Sequence, residues 1–135
     1  MVNPDGVYLG NTRGNLLGQD LNRAWLNPNK FQHPTVYALK RMIHGLGQSN
    51  AYDLDMILDI HASQTQTGFF VIGNAYDDVY RFERHSVFPK ILAQICPDFS
   101  PENSIYNNDE EKAGSIRRYE NIENISGCTC DIQIQ

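Results

Sequence analysis

No apolar run in these 135 residues approaches the ~20 that a membrane-spanning helix needs. The opening MVNPDGVYLG lacks a basic stretch followed by an apolar core, so it does not read as a secretory leader. Cysteine is scarce. Cys96, Cys128 and Cys130 are odd in number and show no disulfide framework, which fits a reducing, cytoplasmic setting. One Cys-x-Cys is also too small a ligand set for a structural zinc site. Positive charge is short as well: 11 Lys and Arg against 16 Asp and Glu leave a net charge of -5. That balance disfavours nucleic acid or an anionic membrane as partner. Two catalytic signatures are missing too. There is no Gly-x-x-x-x-Gly-Lys-Ser/Thr loop to cradle phosphates and no Gly-x-Ser-x-Gly nucleophile elbow.

What is present is material for one core. Hydrophobic residues make up 41% of a chain of single-domain length. Residues 1–33 are dense in turn signals, Asn3-Pro4, Asp5-Gly6, Gly10, Gly14, Gly18 and Asn27-Pro28 among them, and read as loop. Pro34 suits a first helical position, and Val36, Leu39, Ile43 and Leu46 follow at helical spacing. The pattern predicts a helix over 34–45, ended by Gly45 and Gly47. DLDMILDIHA alternates, which predicts a strand with Asp59 and His61 on one face near its end. GFFVIGN is a continuously apolar strand, as in a sheet covered on both faces. Asp77 is placed to cap a helix from Asp78, and Pro89 should kink or divide that helix. PDFSPENSIYNNDEE reads as a polar loop. CTCDIQI alternates again, with Cys128, Cys130, Ile132 and Ile134 on one face and Thr129, Asp131 and Gln133 on the other. Strands alternating with helices predict an α/β domain around a mostly buried sheet.

Four groups of residues have chemistry to offer. His61 closes a buried strand, the place where open α/β sheets put their ligands. It is a zinc-ligand candidate, although a hydrogen-bonded histidine at a strand end is the commoner case. Asp59 could orient it if the geometry brought the two together. Asn22 and Arg23, in GQDLNRAW, pair an amide with a guanidinium fork that can take a carboxylate bidentately; a solvated loop pair is the plainer alternative. Arg117 and Arg118, in KAGSIRR, form a basic cluster able to receive an acidic group, where a solvated charge run is more usual. Asp131 is a candidate general base, against the plainer view of a solvent-facing residue on an edge strand.

Taken in order, NPDGVYLGNTRGNLLGQDLNRAW, LDIHAS, FFVIGN, VFPKILAQICPDFS and KAGSIRR resemble the zinc carboxypeptidases of the carboxypeptidase A type. Within them the likeness is strongest to the cytosolic carboxypeptidases, nearest to their sixth branch, and it covers nearly the whole chain. The resemblance implies a three-layer α/β/α mixed sheet. It implies that Asn22 and Arg23 grip a substrate's terminal carboxylate and that Arg13 stabilises the developing oxyanion. His61 matches the third zinc ligand, and Asp131 stands at the catalytic glutamate's position in a Tyr-Thr-x-Glu strand. Members of this subfamily remove glutamates from acidic protein tails, glutamylated tubulin above all. Arg117 and Arg118 are the candidates for that acidic preference.

The chain departs from the pattern in three places. The family's other two zinc ligands come from a His-x-x-Glu motif, which does not occur in these residues. The expectation is therefore a C-terminal portion, 1–135, of a peptidase domain truncated on its N-terminal side, with one zinc ligand present. Aspartate replaces the glutamate, drawing the carboxylate back by ~1.5 Å, enough to matter for proton transfer. DIHASQ stands where DIHAHS might be expected. Two further readings follow from the departures: a non-catalytic module that binds acidic C-terminal tails, or an inactive fragment.

Overall fold

The computed structural model describes residues 1–62, 66–123 and 128–133, with side chains set aside at 120–123 and 128–130. The departure at Ser63 and Gln64, Ile134, and the apolar facing of Cys128 and Cys130 lie outside the described residues and side chains. The chain divides into two compact units, Met1–Leu54 with Glu110–Ile125 and Asp55–Asp109 with Ser126–Gln135.

In the first unit the opening segment is not all loop. Helix α1 spans Pro4–Leu9. The Asn-Pro and glycine signals that read as turns are this helix's two ends. Asn3 caps it by accepting from the Gly6 amide at 3.1 Å, Pro4 takes the first turn, and Gly10 closes it at φ 74°. Helix α2 spans Pro34–Gly47 and buries Val36 and Ile43, two of the residues whose spacing predicted it. It runs past Gly45, because one exposed glycine costs a helix only about 1 kcal/mol against alanine. Helix α4, Ile116–Glu123, has no counterpart in the sequence reading and buries Ile116, Arg117 and Tyr119. Its Tyr119 ring lies 6.3 Å from that of buried Trp25.

The second unit holds a four-stranded mixed sheet. Its strands are β1 (Met56–His61), β2 (Phe70–Asn74), β3 (Ile105–Asn107) and β4 (Cys128–Gln133), in the order β1-β4-β2-β3. β4 runs parallel to β1 and antiparallel to β2, and β3 pairs in parallel with β2. β2 meets the expectation of a covered strand, since Phe70 and Val71 have no exposed surface. β3 lies inside the stretch read as polar loop; three residues are too few to show a period. Gly73 pairs with Tyr106 on β3, and a Cβ there would lie 2.8 Å from the tyrosine ring. The bare glycine is thus covered by its cross-strand aromatic.

Helix α3, Val79–Ile95, is capped by Asp78, which accepts from the Tyr80 amide at 3.0 Å; the cap falls one residue later than expected. The helix also passes through Pro89 without dividing. Proline removes one ladder bond, and here burial of its ring offsets that loss. Val71 and Phe99 centre the packing, with Phe69, Phe88, Leu92 and Cys96 against them.

Two substitutions test this packing. Phe70→Ala should cost about 3–5 kcal/mol in urea denaturation, as expected for a fully buried ring. Gly45→Ala, on exposed α2 surface where an added Cβ meets nothing within 4 Å, should stabilise by about 0.5–1 kcal/mol.

Candidate functional site

Two clusters carry the chemistry, one in each unit. In the first unit, LNR forms a 3-10 turn, Leu21–Arg23, started by Asp20. One Asp20 oxygen accepts from the Asn22 amide at 2.9 Å. The other accepts from Arg13 Nε at 2.6 Å and lies 4.0 Å from Arg23 Nη1. Arg23 Nη1 also donates to the Asn22 carbonyl at 2.9 Å. Asp20 therefore holds two expected site arginines near one carboxylate. Two guanidinium groups against one carboxylate leave local charge positive in an acidic chain, and both side chains stay accessible, at 46% and 38% exposure. Asp20 was missed as a site residue; its place three residues before Arg23, heading the turn, was the available signal.

Asn22 makes a different contribution. Its Oδ1 accepts from the Ile116 amide at 3.1 Å, at the first turn of α4. The Gly114 carbonyl accepts from the Trp25 amide at 3.0 Å. A Cβ on Gly114 would strike the Arg23 carbonyl. NRAW and KAGSIRR, about ninety residues apart in sequence, thus form one seam that only glycine admits. Arg117 in that seam has no exposed surface, and Arg118 is half-buried. Arg117 is therefore not the solvated charge that a basic run usually is. Burying a guanidinium is costly unless it is paired, so its role is played inside the fold.

In the second unit the register of β1 against β4 decides the site. Asp59 lies opposite Asp131, and His61 opposite Gln133. Cross-strand neighbours share a face, so all four side chains converge. Asp131 is 6% exposed on an interior strand, which corrects the view of a solvent-facing residue on an edge strand. His61 Nδ1 lies 3.0 Å from the Ala62 carbonyl. A carbonyl only accepts, so Nδ1 is the donor in that contact and Nε2 is the ring nitrogen turned toward the cluster. Nε2 lies 3.9 Å from Asp59 Oδ2 and 3.5 Å from the Gln133 amide nitrogen. Donor atoms of Asp59, His61 and Asp131 all lie within 4.8 Å of one another. Gln133 was not picked out in sequence, although it sits two residues beyond Asp131 on the same face.

One nitrogen and two carboxylates suit zinc, whose N and O ligands sit at about 2.0–2.2 Å. Tetrahedral donors are then about 3.4 Å apart, so the trio needs only a small closure. Two carboxylates directly opposite in a sheet repel, which a bound cation relieves.

No family model matches the chain. Cytosolic carboxypeptidase 6 of Mus musculus is 45% identical over 119 residues, 88% of this chain and 22% of the mouse protein. Cytosolic carboxypeptidase 6 of Caenorhabditis elegans is 36% identical over 135 residues, 96% of this chain and 28% of that protein. The chain is homologous to the cytosolic carboxypeptidases. A solved metallo-carboxypeptidase from Burkholderia cenocepacia matches with a TM-score of 0.82 and 25% identity, covering 98% of this chain and 33% of its own. The mixed sheet is thus that of a metallo-carboxypeptidase. The chain spans about a quarter of the length of the cytosolic carboxypeptidases it matches and a third of that solved structure.

The seam yields a direct test. Gly114→Ala should destabilise by about 1–3 kcal/mol, because the added methyl must displace the Arg23 backbone. Thermal unfolding measures the loss. Asp20→Asn should lower stability less, because it keeps an oxygen for the Asn22 amide while giving up the charge beside both arginines.

Proposed function

We propose that this chain is the C-terminal portion of a zinc metallocarboxypeptidase domain that removes glutamate from acidic protein tails in the cytoplasm. Tubulin tails are the substrate class in view. The observation that carries the reading is the meeting of His61, Asp59 and Asp131 through the β1–β4 register. The homology and the metallo-carboxypeptidase fold support it. No helix among the described residues is long and apolar enough to cross a membrane, in keeping with that setting.

Zinc, when bound, polarises a carbonyl and makes water acidic. The chain's own residues divide the remaining tasks. His61 offers Nε2 as a metal donor, with Nδ1 turned to the Ala62 carbonyl, and Asp59 accompanies it. Asp131 accepts the proton of the attacking water, a task its shorter side chain performs less well than glutamate. The Arg23 fork takes the terminal carboxylate, with Asn22 setting the turn that presents it. Arg13 stabilises the oxyanion. Arg118, half-buried, is left as the candidate for favouring acidic residues, because Arg117 is enclosed in the fold and cannot meet a substrate.

Slow release of glutamate from a glutamate-ended peptide is the expected activity, read by mass spectrometry. Chelator and His61→Ala should each abolish it, and Arg23→Ala should cut it by about tenfold or more. Release that survives chelator and His61→Ala would rule out the metal-dependent reading. The alternative is a non-catalytic module for acidic C-termini, favoured by one observation: the Asn22–Arg23 turn and its supports are complete within the first unit. Binding that is lost with Arg23→Ala and indifferent to chelator, without any release, would select it.

A further inference from the structure

A pocket of about 270 Å³ lies in the second unit, between α3 and the edge strand β3. α3 lines it with one stripe, Phe82, Pro89, Lys90 and Ala93 among them, and Phe99 and Tyr106 close the other side. The strand register places it behind the sheet. Gly73 and Tyr106 are paired and share one face, whereas Ile72 and Asp131 are paired and share the other. The pocket therefore opens away from the cluster of Asp59, His61 and Asp131. Its walls are stiff and apolar. The Phe82 ring meets that of Tyr106 edge-on at 5.7 Å, and the buried ring of Pro89 stands in mid-helix. The two serines in the lining are already engaged: Ser86 Oγ donates to the Glu83 carbonyl at 2.8 Å, and Ser104 Oγ accepts from the Val71 amide at 3.2 Å. Lys90 differs. It is exposed and makes no hydrogen bond or ion pair among the described residues. No Asp or Glu lines the pocket, and the neighbouring Glu102 points to solvent.

We propose that this pocket binds a small aromatic carboxylate, its ring among Phe82, Phe99 and Tyr106 and its carboxylate on Lys90. The inference does not rest on the hydrolytic reading. Size, shape and charge each narrow the occupant. The volume stands at the lower end of ligand pockets, which run from about 300 to 1,000 Å³, so it admits one ring with a short substituent. A nucleotide would outgrow it, and no glycine-rich loop is present to hold phosphates. Aromatic walls favour a flat ring, which adds a further edge-to-face or offset contact. A neutral ring would fill the space but leave the Lys90 ammonium with water alone. A carboxylate at the ring's outer end gains a charge-assisted hydrogen bond from Nζ. Both charges stay partly hydrated at the rim, so the pair avoids the desolvation cost of a buried one.

The test is proton–nitrogen correlation NMR of the whole chain, titrated with hydrocinnamate and with its neutral analogue hydrocinnamyl alcohol. The acid should bind in the low millimolar range or tighter and move the amide signals of Lys90, Ala93 and Tyr106. The alcohol should bind about threefold to fivefold more weakly, the worth of one exposed ion pair. Lys90→Ala should erase that difference, and rising salt should narrow it. Ala93→Trp, at an exposed helix position where the new ring fills the pocket, should remove binding of both; the dispersion of its amide signals verifies that it folds. Arg23→Ala should change nothing, which separates this pocket from the proposed grip on a terminal carboxylate. Four results would overturn the proposal: no binding of the acid, equal binding of acid and alcohol, a preference for the acid that survives Lys90→Ala, or shifts that centre on Arg23 and vanish in Arg23→Ala.

Discussion

The parallel pairing of β1 with β4 is the constraint from which the second unit's chemistry follows. Strand side chains alternate with a period of two, so a slip of one residue would turn Asp131 to the other face of the sheet. The observed register puts Asp59 against Asp131 and His61 against Gln133. β4 can hold a carboxylate at 6% exposure because it lies inside the sheet, flanked by β1 and β2. β2 in turn is held by Phe70 and Val71, which point to opposite faces of the sheet and are both fully buried. Apolar packing thus fixes the register, and the register assembles the polar site.

The first unit solves a different problem, how to keep two arginines close together and accessible. Asp20 does this by splitting its carboxylate between the Asn22 amide and the Arg13 guanidinium. The turn is then locked to α4 by Asn22 and by the bare Gly114. Both locks to α4 end on backbone atoms, the Ile116 amide and the Arg23 carbonyl.

The main strands were legible because their signals are local. Alternation in MILDIH and an unbroken apolar run in FFVIGN are properties of a few adjacent residues. α2 was legible for the same reason, from four apolar residues at helical spacing. What escaped depended on partners distant in sequence. The burial of Arg117 needs the rest of its unit, and Asp131 could be placed inside the sheet only once β2 was known to pair with β4. Pro89 misled because its local cost is certain while the burial that offsets it is tertiary. The turn signals of residues 3–10 were read as loop, whereas they mark the two ends of one short helix.

The central claim is that the β1–β4 register brings His61 and Asp59 together as metal donors, with Asp131 beside them as the base. Titration of the metal-free chain with Co²⁺, followed by its visible absorption, tests this most directly. The account predicts one-to-one binding with a tetrahedral, oxygen- and nitrogen-ligated spectrum, displaced by Zn²⁺ and lost in His61→Ala and Asp59→Asn. A chain that binds no Co²⁺, or binds it equally well without His61 and Asp59, would contradict it.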